Sequence, residues 1–447
     1  MATHDYSIAN ADGATVRADL NSALEAIVSN NSSSSEPATT YAFMWWADTT
    51  NNLLKQRNAA DSGWVTVASL VGGAVVKTAT TGSAALPSGT SAQRDGSPAA
   101  GYIRFNSDDG AFEGYDGSQW AGLGGGASYG LFRKVDPTVV AFTKTGAGTA
   151  ETQTAIYAEV NGSILTVASG TSVTMPSLTA GTDYAIWLET DGDVVATTNH
   201  TTPPTANARK IGGFHYAPGG NATGTSGGNT TAQINEYSFW DLKFRPACPD
   251  PRGMTLVGGG FWADIYLTGV DAITNGSSKY NVTIADGSSP PKVPTMFGGD
   301  GSSTYGSYTW FEAMELATAF GKKCPTQQEF MSLAYGTTEA SSRGSDPGTT
   351  QMSATDDNFT SKWGCIQSTG TLWVWARDRG GPYAGASWNA NTEGRGSEYN
   401  APNAALLGGH WNNTSNAGSR CSNWSHAASD SISDIGSRFV SEHLQID

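Results

Sequence analysis

The chain has 447 residues, a formal net charge of −15, a sequence pI near 4.8, 55 glycines and only 15% charged residues. An acidic surface of this kind excludes phosphate-backbone binding, which needs clustered cations, so nucleic acid is not expected as a partner. Abundant glycine and sparse charge exclude a helical bundle and describe a turn-rich, mainly β protein with room for about three domains.

The opening MATHDYSIANADGATVRADL has no basic segment followed by an apolar one, and no run of about 18 apolar residues occurs. A product made in a cytoplasm, without membrane insertion, is therefore expected. Residues 14–28, ATVRADLNSALEAIV, place Val16, Leu20, Leu24 and Ile27 on one helical face, and NNSSSSEP ends the helix as a linker. Two related segments follow, MWWADTTNNLLKQRNAADSGWVTV (44–67) and IRFNSDDGAFEGYDGSQWAGL (103–123), each with an aromatic, a turn containing Asp, alternating residues and a closing Trp64 or Trp120. They read as β-hairpins or meanders of one design, which gain a core by packing on copies in other chains. Both resemble the proximal parts of phage tail fibres, where trimers are the rule. The stretch between them, 72–101, reads as a linker or thin fibre section, and LGGGASYG (123–130) as a second boundary. Its G-A-S-Y-G fits a nucleophile elbow at Ser128 only formally, because no apolar strand precedes it.

Residues 131–200 alternate in the strand manner, with a D-G turn at Asp191 and Gly192, and predict a small β-sandwich or β-prism. The glycines and Asn-rich turns of 212–230 predict a long loop leading into a strand at EYSFWDLKF. Beyond about Pro246 the sequence predicts a strand over MTLVGGGFWADIYL, two helices and Trp-rich strands. WFEAMELATAFGKK (310–323) has Phe311, Met314 and Ala317 or Thr318 on one face and stops at Gly321. PTQQEFMSLAYG (325–336) opens with a Thr326/Glu329 capping box.

The most informative stretch is GGHWNNTSNAGSRCSNWSHAASDSISDIGSRFV (408–440). It has neither a helical period nor a clean period of two. Gly408 and Gly409 read as a turn into a short strand, Trp411 and Trp424 as packing anchors, and GSRFV as a final strand whose arginine pairs internally. Between these residues Asn, Ser, His, Asp and Ile recur irregularly. Asn is encoded by AAC or AAT, and changing only the adenines yields His, Ser, Asp, Ile or Thr in one step, whereas Trp (TGG) has no adenine to change. His410, Asn412, Asn413, Thr414, Asn416, Asn423, Ser425, His426, Asp430, Ile432, Asp434 and Ile435 are thus candidate diversified positions. Composition alone equally describes an ordinary polar loop rich in Asn and Ser.

The stretch resembles the variable region of the major tropism determinant family, receptor-binding proteins of phages that carry a diversity-generating retroelement. The resemblance runs through ARKIGGFHYAPGGN (208–221), GGNTTAQINEYSFWDLKFRP (227–246), DPRGMTLVGGGFWADIYLTGV (250–270), SKYNVTIADGS (278–288) and FTSKWGCIQSTGTLWVW (359–375), from about residue 131 to the end. It implies a C-type lectin fold of the formylglycine-generating-enzyme type, on which adenine-directed mutagenesis randomises exposed residues. Each of the twelve candidates falls opposite a family variable position, and Trp411, Trp424, Gly436 and Arg438 fall opposite fixed ones. Cys421 departs from the small residue expected there and raises a reactive or packed thiol at the edge of the site.

The enzyme branch of this fold depends on paired cysteines in the stretch equivalent to 410–420, where this chain has Asn, Thr and Ser, so no nucleophilic or copper chemistry is expected. Cys248, Cys324, Cys365 and Cys421 are widely spaced, predicting free and mostly buried thiols. His410 and His426 match no metal-binding spacing, and no cofactor is expected; Asp286, Asp300, Asp356 and Asp357 are the carboxylates that a structural Ca²⁺ would use. The sequence as a whole predicts a homotrimer in the virion tail. Residues 1–40 would attach to tail or baseplate proteins, 41–128 form fibre-like repeats, 129–245 a β-sandwich or β-prism, and 246–447 the lectin-like domain. By resemblance the partner is a host-surface receptor, a protein. The other readings are a formylglycine-generating-enzyme relative and a fixed structural fibre or adhesin.

Overall fold

In the computed structural model, residues 3–70, 86–108, 110–122, 130–381, 388–390, 395 and 397–446 are described, and the chain divides into two compact units, Met1–Ala127 and Ser128–Asp447. The first unit opens with the helix Gly13–Val28, whose N-terminus is capped by Asp12 accepting from the amides of Ala14 and Thr15. It stops at Asn30 and Asn31, both in the left-handed region, with the Asn31 amide returning to the Ala26 carbonyl at 2.7 Å. The face packed within the unit carries Ala23 and Ala26, while Leu20, Leu24 and Ile27 are 48%, 51% and 57% exposed. The predicted apolar stripe therefore exists but points outward, because the small alanines are what let the chain approach the helix closely.

The two related segments form antiparallel meanders: Trp45–Asp48, Leu53–Arg57 and Trp64–Ser69 in one, Ile103–Asn106, Ala111–Tyr115 and Trp120–Gly122 in the other. Their leading strands bury the second and fourth residues, Trp46 and Asp48 in one, Arg104 and Asn106 in the other. Opposite Trp46 stands Lys55, opposite Arg104 stands Glu113. The charges are reversed between repeats: Lys55 pairs with Asp48 at 2.8 Å, whereas Glu113 takes Arg94 at 2.6 Å and Arg104 at 3.4 Å. Within 72–101, residues 72–85 lie outside the described residues, and Ser88–Gly89 is no linker: it joins the second meander, parallel to Phe105–Asn106. Ser128 also lies outside the described residues.

The second unit begins with three sheets around one core that contains Phe142, Ile156, Tyr184, Ile186, Ile211 and Phe214. The hairpin Thr182–Leu188/Val194–Thr197 turns at Asp191 and Gly192, the glycine at φ 98°. Residues 209–217 form a nine-residue strand where the glycines predicted a loop. Gly212 and Gly213 are there because a Cβ would lie 2.5 Å from the Trp240 carbonyl and 2.6 Å from that of Tyr184; glycine lets neighbouring strands close. EYSFWDLKF breaks into a 3₁₀ turn, Glu236–Ser238, and the short strands Trp240–Asp241 and Phe244–Pro246. Asp241 causes the break by accepting from the amides of Lys243 and Phe244.

Beyond Pro246, MTLVGGGFWADIYL is a hairpin rather than one strand: Met254–Val257 and Phe261–Asp264 turn at Gly258 and Gly259, both at positive φ. The C-terminal strand Val440–Gln445 lies between Phe261–Asp264 and Phe244–Pro246, closing the domain from both ends of its sequence. A second sheet orders Ser422–His426, Asn403–Leu407, Trp373–Gly380 and Ile435–Gly436. Helix Trp310–Ala319 buries Glu312, Ala313, Leu316 and Ala317, a stripe rotated from the predicted one. The Thr309–Glu312 capping box turns that face inward. Helix Gln327–Leu333 has the predicted Thr326/Glu329 box, the Thr326 amide donating at 2.7 Å. All four cysteines are free, Cys248, Cys324 and Cys365 buried.

Candidate binding surface

Strand Asn403–Leu407 ends at Gly408 and Gly409, so these glycines close a strand rather than open one. Their φ values of 91° and 81° suit glycine, and a Cβ would lie 2.7 Å from the Phe330 ring at the first and 2.8 Å from Ala417 Cβ at the second. His410 then bridges to Thr371, a 3₁₀ turn spans Thr414–Asn416, and Ser422–His426 returns along Asn403–Leu407. GSRFV is mostly not strand. Gly436 ends a two-residue strand parallel to Trp373–Val374, and Val440 begins the last one. Between them Arg438 turns into the interior.

The residues expected to be scaffold are tied to other parts of the chain. Fully buried Arg438 donates to the carbonyls of Asp264 and Ile265 at 2.6 Å each, and to those of Ile366 and Gln367. Burial draws its pKa down, and carbonyls hold the charge in place of a carboxylate. The Trp411 carbonyl accepts from Gly344 at 2.8 Å and from Ser342 Oγ at 2.9 Å. That of Trp424 accepts from Asn403 Nδ2 at 3.0 Å, and its ring would stand 3.0 Å from a Cβ on Gly380. A Cβ on Gly436 would stand 3.0 Å from the Ala285 carbonyl.

The candidate diversified residues behave differently. Asn412, Thr414, Asn416, Ser425 and Ile432 are exposed, and His410, Asn413, Asn423, His426, Asp430 and Asp434 half-buried. Their side chains bond to near neighbours: Asn413 Oδ1 accepts from the His410 amide at 2.7 Å, and Asn423 Oδ1 from the Ser425 amide at 3.0 Å. His426 Nδ1 lies 3.0 Å from Asp430, whose carboxylate also accepts from the Ala427 amide. His410 Nδ1 and Asp434 Oδ2 are 3.5 Å apart, and His410 Nδ1 and Asp434 Oδ1 are shut from solvent without hydrogen-bond partners. Ile435 is the exception among the twelve. It is fully buried in the core with Leu406 and Phe439, so it backs the surface from within instead of presenting a side chain to solvent.

Asn413, Asn416, Asn423 and Ser425 line one hollow of about 430 Å³ with Trp373 and Trp424. Trp373 was not legible as part of the surface; it shares a strand face with Trp375 at i, i+2 spacing, and only the fold shows that it comes to lie under the hollow. Glu339 was missed too. It accepts from the Ser419 amide at 2.9 Å, and no local signal links residues 80 apart. Cys421 is half-buried against the core and burial pushes its thiol up, which makes it a packed thiol rather than a reactive one.

The four carboxylates considered for Ca²⁺ are engaged otherwise. Asp286 accepts from Ser288 and Ser289, Asp300 from Ser302 and Ser303, Asp356 from Arg343 and Gln367, and Asp357 from Asn358. Among the described residues no group of three or more His, Cys, Asp or Glu could hold a metal ion.

Two four-stranded sheets, one of them closed by the C-terminal strand, with helices beside them and a polar face built from 410–434, define a C-type lectin fold within a mainly β protein. The family model described as the Mtd second domain matches residues 140–241. A tail fiber receptor-binding protein of Bordetella phage BPP-1 is 53% identical over 322 residues, covering 70% of this chain and 84% of the relative. Among solved structures, the U1 variant of the Major Tropism Determinant is 49% identical at a TM-score of 0.71, and the M1 variant 48% identical at the same score. Each match covers 81% of this chain and all of the neighbour. The chain belongs to the major tropism determinant family.

Proposed function

We propose that this protein is the tropism-determining receptor-binding protein of a phage tail fibre, a homotrimer made in the host cytoplasm and carried on the virion tail. It adheres to a host-surface protein through the face formed by 410–434, and no bond is made or broken. Residues 1–40 serve attachment to tail or baseplate proteins, 41–128 the fibre, 129–245 an intermediate β domain and 246–447 receptor binding. The observation that carries this reading is the division of side-chain bonding within one stretch: hydrogen bonds of the candidate side chains reach two to four residues, while the Arg438 guanidinium is bonded to carbonyls 71 to 174 residues away. Eleven of the twelve positions reach solvent; Ile435 is excluded from the contact set.

The trimer is supported by apolar surface left open in the first unit, on the Leu20/Leu24/Ile27 stripe and on the meanders at Trp45, Val65, Ile103 and Phe112. The 4- and 3-residue spacing of that stripe matches that of a coiled-coil seam over one heptad. About a dozen positions make roughly half of a standard interface side, so one head binds weakly, and several heads raise avidity by roughly 10² to 10⁴. The test is to sequence the 3′ end of the gene across phage progeny and to measure adsorption of the purified protein to bacterial strains. Substitutions confined to adenine-derived codons between 410 and 434, together with strain-dependent adsorption, are expected. Random scatter through Trp411, Trp424 and Arg438 overturns the reading.

A further inference from the structure

The segment 416–423 has a hollow on each side. On one side Asn416, Cys421, Ser422 and Asn423 wall the hollow already described. On the other, Ser419 and Arg420 border a larger one, about 860 Å³, walled by Val257, Phe261, Met331, Tyr335 and Trp363. None of the twelve candidate positions lines this second hollow. Its walls are held by the fold. Trp363 Nε1 donates to the Ser332 carbonyl at 2.9 Å and its ring meets Tyr237 edge-on at 5.0 Å, while the Glu339 carboxylate ties down Ser419. Tyr335 nevertheless remains 51% exposed, Arg420 is exposed, and Lys362 Nζ stands over the Trp363 ring at 5.2 Å.

Open aromatic surface with a cationic rim is the chemistry of binding hot spots, where Trp, Tyr and Arg dominate. The neighbouring hollow also has an aromatic base, Trp373 and Trp424, but its candidate diversified walls carry carboxamides and hydroxyls, exchangeable polar groups that select a partner more than they hold it. One partner seated over the 416–423 ridge covers both. We propose that the Tyr335/Trp363 hollow is a constant anchor of the receptor-binding surface, taking an apolar or aromatic side chain of a protein receptor while the diversified hollow decides which receptor is bound. This rests on the receptor-binding reading above.

The test uses full-length protein with Tyr335→Asp, Met331→Asp or Asn423→Tyr, and its adsorption to intact cells of several strains, untreated or trypsin-treated. Sedimentation and melting temperature are followed alongside. Both groove variants are expected to weaken adsorption about tenfold or more on every strain that the parent binds, with oligomeric state and melting temperature kept, whereas Asn423→Tyr changes the strain pattern. Trypsin treatment of the cells is expected to abolish adsorption. Adsorption unmoved by either groove variant overturns the anchor; so does dissociation of the oligomer, which makes the hollow a seam between copies, and so does undiminished adsorption to trypsin-treated cells. A parent protein that adsorbs to no strain, or adsorption indifferent to groove and Asn423 variants alike, overturns the receptor-binding reading as well.

Discussion

Arg438 and the His410–Asp434 pair lie in one 33-residue stretch and are all withdrawn from water to some degree, yet their bonding is opposite. Arg438 donates to four carbonyls 71 to 174 residues away, whereas the His410–Asp434 contact is 3.5 Å long and joins two residues of the same stretch. A residue bonded to four distant carbonyls cannot change without unfastening the segments it joins, residues 264–265 and 366–367. A residue bonded only to its neighbours, or imperfectly, can be replaced with little effect on the fold. The proposed division between fixed and exchangeable positions thus has a physical counterpart in the reach of the Arg438 side chain against that of the candidate side chains.

The hardest break of this comparison is Arg438→Met. It orphans buried carbonyls at the end of strand Phe261–Asp264 and in the loop at 366–367, and is expected to destabilise by about 3–5 kcal/mol, read by urea unfolding followed through Trp fluorescence. Ile435→Ala comes next, at about 2–4 kcal/mol, because its side chain is fully buried; a neutral result would return Ile435 to the exchangeable set. Gly408→Ala forces a Cβ into the left-handed region against Phe330 and is expected to cost about 1–3 kcal/mol in the same assay. Asp430→Tyr or Asp434→Tyr should shift stability by less than about 1 kcal/mol while altering which strains are bound. A large drop in melting temperature there would make those residues structural. Smallest of all, Cys421 should alkylate with iodoacetamide more slowly than a free cysteine near neutral pH, since burial raises its thiol pKa and lowers the thiolate fraction.

Local signals were legible wherever a few neighbouring residues decide the geometry. The Thr326/Glu329 box, the Asp191–Gly192 turn, the two meanders and the helix ending near Asn30 are all settled within about four residues. Eleven of the twelve candidate positions reach solvent, as polar residues between packing anchors are expected to, while Ile435 does not. The sequence misled where tertiary contacts overrode local preference. Gly212 and Gly213 look like loop residues and are strand residues that let Trp240 and Tyr184 approach; the 310–319 helix buries its capping glutamate. Placement was beyond the sequence altogether. That Ile435 faces inward while Asp434 faces the site, that Trp373 underlies the polar hollow, and that Glu339, Ser342 and Arg438 fasten the stretch from afar depend on contacts between segments tens to hundreds of residues apart, which no local pattern encodes.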